Sequence, residues 1–141
     1  DMVVASTAAR FGLPEVKRSL IASAGGLVRL PRHLPRNLAM EAALTGDPIS
    51  AEVAHQYGLV NHLVDPGQAV DAALELAGRV NANAPLAVRA SRRSILGAQL
   101  LDDEAGIRLT SEETRLLADT DDFREGPRAF VEKRPPEWKG H

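Results

Sequence analysis

The chain opens on an unbroken apolar run, Met2-Val3-Val4-Ala5, while nearly everything after it carries helical rather than alternating periodicity. A stretch that is apolar or small at every position reads as a strand buried on both faces. Such a strand needs partner strands beside it and layers above and below, so it limits the fold more than any other feature. Few stretches can supply partners. Residues 8–12, AARFG, read as a second short extended piece, and residues 59–64, LVNHLV, as a strand closed by the Asp65-Pro66-Gly67 turn.

The remainder reads as a chain of helices. Pro14 suits a turn or a first helical position, where its missing N–H does no harm. Ala22-Ser23-Ala24-Gly25-Gly26 is a small-residue loop that opens into LVRLPRHL, leaving free backbone N–H groups at the helix start. Pro31 and Pro35 are expected to break that stretch into short pieces. Residues 36–44 are strong helix formers ended by Thr45-Gly46, and Ser50 is placed to cap a helix running to about Tyr57. Val70, Ala73, Leu74, Ala77 and Val80 form the clearest helical stripe. Pro85 opens a helix to about Leu100, another covers residues 103–118, and Asp121 or Asp122 is expected to cap a last one through Phe130 and Lys133. The class is α/β, with short strands first and helices after. Weakly striped helices with so little sheet would pack better on a surface from outside the sequence, and Asp1 stands where a translated chain has Met. Together these read as the second part of a longer domain.

Composition narrows the function classes. With 141 residues, 44% hydrophobic and 26% charged, the chain is domain-sized and of globular composition. It has no cysteine, which excludes disulfides, thiolate metal sites and cysteine nucleophiles. A net charge of −2 argues against nucleic-acid binding, and no apolar run is long enough to span a bilayer. No signal-peptide pattern opens the chain, so the expected location is cytoplasmic. Arginine outnumbers lysine fourteen to three and alanine is abundant, as in GC-rich bacterial coding. Charge is uneven: five basic residues and no acidic one lie between Lys17 and Arg36. The plain reading of that run is a solvated face, and the sharper one is an anion site.

Phosphate-loop, dinucleotide and nucleophile-elbow motifs are absent, and His33, His55, His62 and His141 form no metal-binding pair, so no metal is expected. One stretch stands out, Phe11-Gly12-Leu13-Pro14-Glu15-Val16-Lys17-Arg18 with the glycine loop behind it. Glu15 follows a rigid proline among apolar residues. A carboxyl in such a setting is partly desolvated and suited to general acid/base work. The plainer alternative is a first-turn glutamate stabilised by the helix dipole.

Three segments in order, FGLPEVKRSLIASAGGLVRLPR, NLAMEAALTGDPISAEVAHQYGLVNHLV and TDDFREGPRAFVEKRPPEW, resemble the crotonase superfamily of enoyl-CoA hydratases and isomerases. They span most of the chain and match the second half of the family's length. The resemblance implies a crotonase-like ββα spiral, with residues 1–64 ending the spiral core and residues 65–141 forming a helical oligomerisation and CoA-site region. It further implies a hydratase that adds water to a 2-enoyl-CoA in fatty-acid β-oxidation, with an isomerase, another acyl-CoA enzyme or a non-catalytic acyl-CoA binder as alternatives.

In family hydratases two backbone N–H groups hold the thioester oxygen, where enolate-like charge develops. Two glutamates hold and activate the water. Glu15 matches the second glutamate, which serves the α-carbon, and the oxyanion-hole segments and first glutamate lie outside this sequence. Pro14, Ser23, Gly25 and Gly26 match the active-site loop. Ser23 departs from the family's glycine at a position whose backbone lies near the water, and a serine there restricts φ. In the C-terminal F-x-E-K-R motif, Phe130 and Lys133 match residues near CoA. Lys133 is suited to a CoA phosphate, and its plainer role is a solvated terminal lysine. Phe130 reads as packing first and ligand contact second, and Trp138 as packing the tail on a subunit surface. CoA would enter only as part of the substrate, with no separate cofactor, and the assembly implied is a homotrimer or dimer of trimers.

Overall fold

Strand pairing begins where the apolar run predicts it, in a computed structural model that describes residues 1–141. Strand β1 (Val4–Ser6) pairs in parallel with β4 (His62–Val64), Ala5 opposite Leu63. Asn61 holds the end of this ladder: its side-chain oxygen accepts from the Val3 N–H at 2.7 Å, and its own N–H donates to the Val3 carbonyl at 2.8 Å. Strand β2 (Arg10–Phe11) pairs antiparallel with β3 (Ile49–Ser50). The sheet content is therefore two pairs of very short strands.

Between β1 and β4 run a 3-10 helix (Pro14–Arg18) and helices α1 (Gly26–His33), α2 (Arg36–Thr45) and α3 (Ala51–Gln56). Pro31 does not cut α1, contrary to expectation, because its ring removes a single i→i−4 bond from a helix with no buried residue, where water reaches the freed carbonyl. The break comes at Leu34, which Pro35 forces into an extended conformation (φ −121°, ψ 155°). Gly46, at φ 68°, ends α2 by donating its N–H to the Ala42 carbonyl. Ser50 caps α3 as expected, its hydroxyl accepting from the Val53 N–H at 3.3 Å.

The chain divides into two compact units, Asp1–Leu76 and Ala77–His141, with the boundary inside α4 (Ala69–Asn81). In the first unit Leu34, Ile49 and Val60 pack with Ala5, Ala42 and Ala54, flanked by Phe11, Leu30 and Leu63. These three are the only buried apolar side chains larger than alanine anywhere in the chain. In the second unit α5 (Pro85–Ala98) lies close against α6 (Asp103–Leu117): a Cβ on Gly97 would come within 2.8 Å of Leu109 Cδ2. Arg93 forks onto Glu113 across the same pair at 2.8 and 2.6 Å.

Helix α7 (Asp121–Glu132) corrects a sequence reading. Its cap is Thr120, whose hydroxyl accepts from the Phe123 N–H at 3.2 Å, rather than Asp121 or Asp122. A hydroxyl at this position reaches the open N–H groups of the first turn, which frees the two carboxylates for other partners. No helix is long and apolar enough to cross a membrane.

Candidate active site

Pro14 opens the 3-10 helix and Glu15 follows it. The turn is anchored by the residues that end and follow α2. Lys17 Nζ pairs with Asp47 Oδ1 at 2.6 Å, and a Cβ on Gly46 would come within 3.0 Å of Lys17 Cε and 3.2 Å of Val16 Cγ2. Only a residue without a side chain, and free to take positive φ, allows this approach. Ser19 ends the turn in the left-handed region (φ 56°), which returns the Leu20 N–H to the Glu15 carbonyl at 3.1 Å.

The Glu15 side chain is half-buried, and its Oε2 is fully enclosed with no hydrogen-bond partner. A buried carboxylate oxygen left unpaired costs more than 1 kcal/mol as an order of magnitude, about 1–3. Such an atom is a strained feature of the fold that a reaction can use.

The glycine loop is locked to this turn. A Cβ on Gly26 would come within 2.5 Å of Leu13 Cδ2, so Leu13 seats against bare backbone one residue before Pro14. Gly25, at φ 100°, caps α1, and its carbonyl accepts from the Val28 and Arg29 N–H groups at 3.2 and 2.9 Å. That leaves Gly26 and Leu27 as the first-turn donors without an intrahelical acceptor. The Ser23 N–H already donates to the Ile21 carbonyl at 2.8 Å, so the free donors of the loop lie at its far end. Ser23 itself is exposed. The Arg29 guanidinium lies over Gly25, 3.3 Å from where a Cβ would stand.

In the second unit, Phe130 and Lys133 stand at the C-terminal end of α7, both exposed. Lys133 takes a left-handed conformation (φ 53°) and its N–H donates to the Phe130 carbonyl. Phe130 is 85% exposed, so it does not pack within its own unit. Its position on the outer face of a helix that buries Asp122 and Ala129 explains this.

Two carboxylates in α7 take roles that the sequence did not show. Asp122 is buried and accepts from the Lys139 and Gly140 N–H groups at 2.7 and 2.9 Å. Glu125 receives Arg134 on both oxygens, at 2.5 and 3.0 Å, and the Glu137 N–H at 3.0 Å. The Arg134 guanidinium holds the Glu125 carboxyl down at about 2, against an ordinary 4.5. Trp138 is held by the same fold-back. Its Nε1–H donates to the Ala82 carbonyl at 2.9 Å, and its ring passes Gly126, with Cη2 3.5 Å from where a Cβ would stand.

The His, Asp and Glu side chains form no group of three that could hold a metal ion. His55 Nδ1 is instead 2.9 Å from the Val60 carbonyl, a structural contact.

A proline–glutamate turn locked to a glycine loop, between short strands and followed by a helical unit, defines a crotonase fold. The chain belongs to the enoyl-CoA hydratase/isomerase family, whose description it matches over residues 1–141. It is 42% identical over 139 residues to enoyl-CoA hydratase EchA19 of Mycobacterium tuberculosis, covering 99% of this chain and 52% of that protein. It is 40% identical over 140 residues to (E)-benzylidenesuccinyl-CoA hydratase of Thauera aromatica, covering 99% of this chain and 55% of that protein. A crystal structure of enoyl-CoA hydratase from M. tuberculosis H37Rv superposes with a TM-score of 0.96 at 45% identity, covering 100% of this chain and 56% of that one. The chain thus spans about half the length of the relatives it matches.

Proposed function

We propose that this chain supplies the α-carbon acid/base of an acyl-CoA hydratase. The observation that carries the reading is the enclosed, unpartnered Oε2 of Glu15 beside a glycine loop that Leu13 holds in place. In the forward direction the water oxygen bonds to C3 of the 2-enoyl thioester, π-electron density moves onto the thioester oxygen, and a proton is delivered to C2. Glu15 is the group that delivers it, and takes it back in dehydration. Backbone donors outside this sequence would hold the thioester oxygen, and a second carboxylate would activate the water.

The names of the relatives support the CoA-thioester class, with different acyl groups on the same chemistry. In this reading Pro14, Ser23, Gly25 and Gly26 shape the loop beside the reacting carbons, and Phe130 and Lys133 meet CoA. The exposed Phe130 and the exposed Lys133 ammonium, one helical turn apart, fit an adenine face and a phosphate. Proton transfer and hydration use no cofactor beyond the CoA of the substrate. Large apolar side chains left exposed along α4 to α7, among them Leu74, Ile107 and Leu116, support burial against a further protein surface. In this reading that surface includes neighbouring copies in a homotrimer or dimer of trimers, and the proposed location is the cytoplasm.

Loss of enoyl-thioester absorbance on adding crotonyl-CoA to the protein that carries this chain tests the reading. Turnover supports it, and CoA binding without turnover favours a non-catalytic acyl-CoA binder.

A further inference from the structure

Lys133 stands in a backbone conformation that glycine usually fills. Only Lys133 (φ 53°) and Ser19 are non-glycine residues at positive φ in this chain. Lys133 ends α7: its N–H donates to the Phe130 carbonyl at 3.3 Å, and the Arg134 N–H reaches back to the Ala129 carbonyl at 3.1 Å. A glycine would make the same bonds without the crowding that a Cβ meets in the left-handed region. The backbone of this turn calls for glycine, so the strain points to a task for the lysine side chain.

The next residue holds the turn against that strain. The Arg134 guanidinium donates through Nη1 and Nη2 to the two oxygens of Glu125 at 2.5 and 3.0 Å. Its Nε donates to Glu132 Oε2 at 2.6 Å, and Nη1 also to the Pro135 carbonyl at 3.0 Å. Glu132 precedes Lys133 and Pro135 follows Arg134, so one guanidinium pins the entry and the exit of the turn to the body of α7. Glu125 is itself fixed, receiving Arg128 Nη2 at 2.9 Å and the Glu137 N–H at 3.0 Å, and its side chain is only 10% exposed. All of these residues belong to the second unit, so the clamp is complete within this chain. A planar fork of five donors serves three acceptor groups at once, which a lysine ammonium cannot do in the same geometry.

We infer that Arg134 is a positioning residue for CoA binding, whose clamp holds the strained turn so that the Lys133 ammonium is ordered for a CoA phosphate before substrate arrives. The inference rests on the reading of Lys133 as a residue that meets CoA. Ordering the turn in the free protein lowers the entropy cost of binding. It acts on ground state and transition state alike and leaves the chemistry at C2 untouched, so its effect falls on KM and not on kcat.

Steady-state kinetics with crotonyl-CoA and crotonyl-pantetheine test this, because the second thioester lacks the phosphates and the adenine. In the protein that carries this chain, Arg134→Lys should raise KM for crotonyl-CoA about tenfold at unchanged kcat, and leave kcat/KM for crotonyl-pantetheine as it was. Glu132→Gln weakens one arm of the clamp and should raise the same KM by a smaller factor, which keeps the test open where Arg134→Lys does not fold. In a Lys133→Ala background, Arg134→Lys should add no further rise. A loss shared by both thioesters, a fall in kcat, or a full further rise in the Lys133→Ala background overturns the inference and makes Arg134 a structural brace. Lys133→Ala alone judges the parent reading. An unchanged KM for crotonyl-CoA removes Lys133 from CoA and the inference with it, whereas a raised KM beside an unaffected Arg134→Lys refutes the inference alone.

Discussion

Leu13 and Gly26 fit together only because Gly26 has no side chain: a Cβ there would stand 2.5 Å from Leu13 Cδ2. Leu13 directly precedes Pro14 and Glu15, and Gly26 is the first residue of α1. One contact therefore sets the spacing between the candidate acid/base and the glycine loop.

Gly26→Ala should separate activity from stability. Alanine gains about 1 kcal/mol over glycine in a helix, while moving Leu13 costs about 1–3 kcal/mol, so the net destabilisation should be small. Displacing Leu13 shifts Glu15, and turnover should fall about tenfold or more. Leu13→Ala in the Gly26→Ala background should restore part of the lost kcat. Urea titration and crotonyl-CoA kinetics on the three variants check this, and additive losses would contradict it.

Ser19 is the other backbone feature of this turn, a non-glycine residue at φ 56°. Ser19→Gly should stabilise the first unit by about 0.5–1 kcal/mol, since the left-handed strain exceeds the entropy glycine brings to the unfolded chain. Chemical denaturation measures it, and a destabilised variant would show the strain to be negligible.

Asp122→Ala removes the acceptor of two tail N–H groups from a buried position. Hydrogen bonds to a charged group contribute about 1.5–3 kcal/mol, so the second unit should lose stability of that order. The tail should also loosen. The single tryptophan, Trp138, lies in it and reports on both through its fluorescence.

The Glu125 clamp gives a pH dependence with a definite sign. Its folded carboxyl sits at about 2 and its ordinary value is 4.5. A depressed carboxyl contributes stability that is complete above about 4.5 and lost as pH falls through about 2. Lys139 lowers Asp121 as well, so the two add in the same direction. Acid titration followed by Trp138 fluorescence should show a transition in that window, and Glu125→Gln should make it shallower. An unchanged slope would remove Glu125 from the account.

The sequence made the local elements legible because their signals are local. Ser50, Gly46, Pro85 and the Asp65-Pro66-Gly67 turn act on their own neighbours, and the structure places each where it was read. Pro31 misled because its effect depends on burial, and α1 buries nothing. Thr120 was overlooked beside two aspartates that have better partners in the tail. Trp138 finds Ala82 across 56 residues, and no periodicity announces such a contact. At the site, the Pro14-Glu15 turn and glycine loop were visible as a motif, but the Leu13–Gly26 contact and the enclosed Oε2 exist only in three dimensions.

The central claim is that Glu15 exchanges the proton at the α-carbon. Glu15→Gln keeps the shape of the side chain and removes its acid/base capacity. In the protein that carries this chain, kcat for crotonyl-CoA hydration should fall by about a hundredfold or more, with the melting temperature nearly unchanged. Turnover close to that of the unmodified protein would contradict the account.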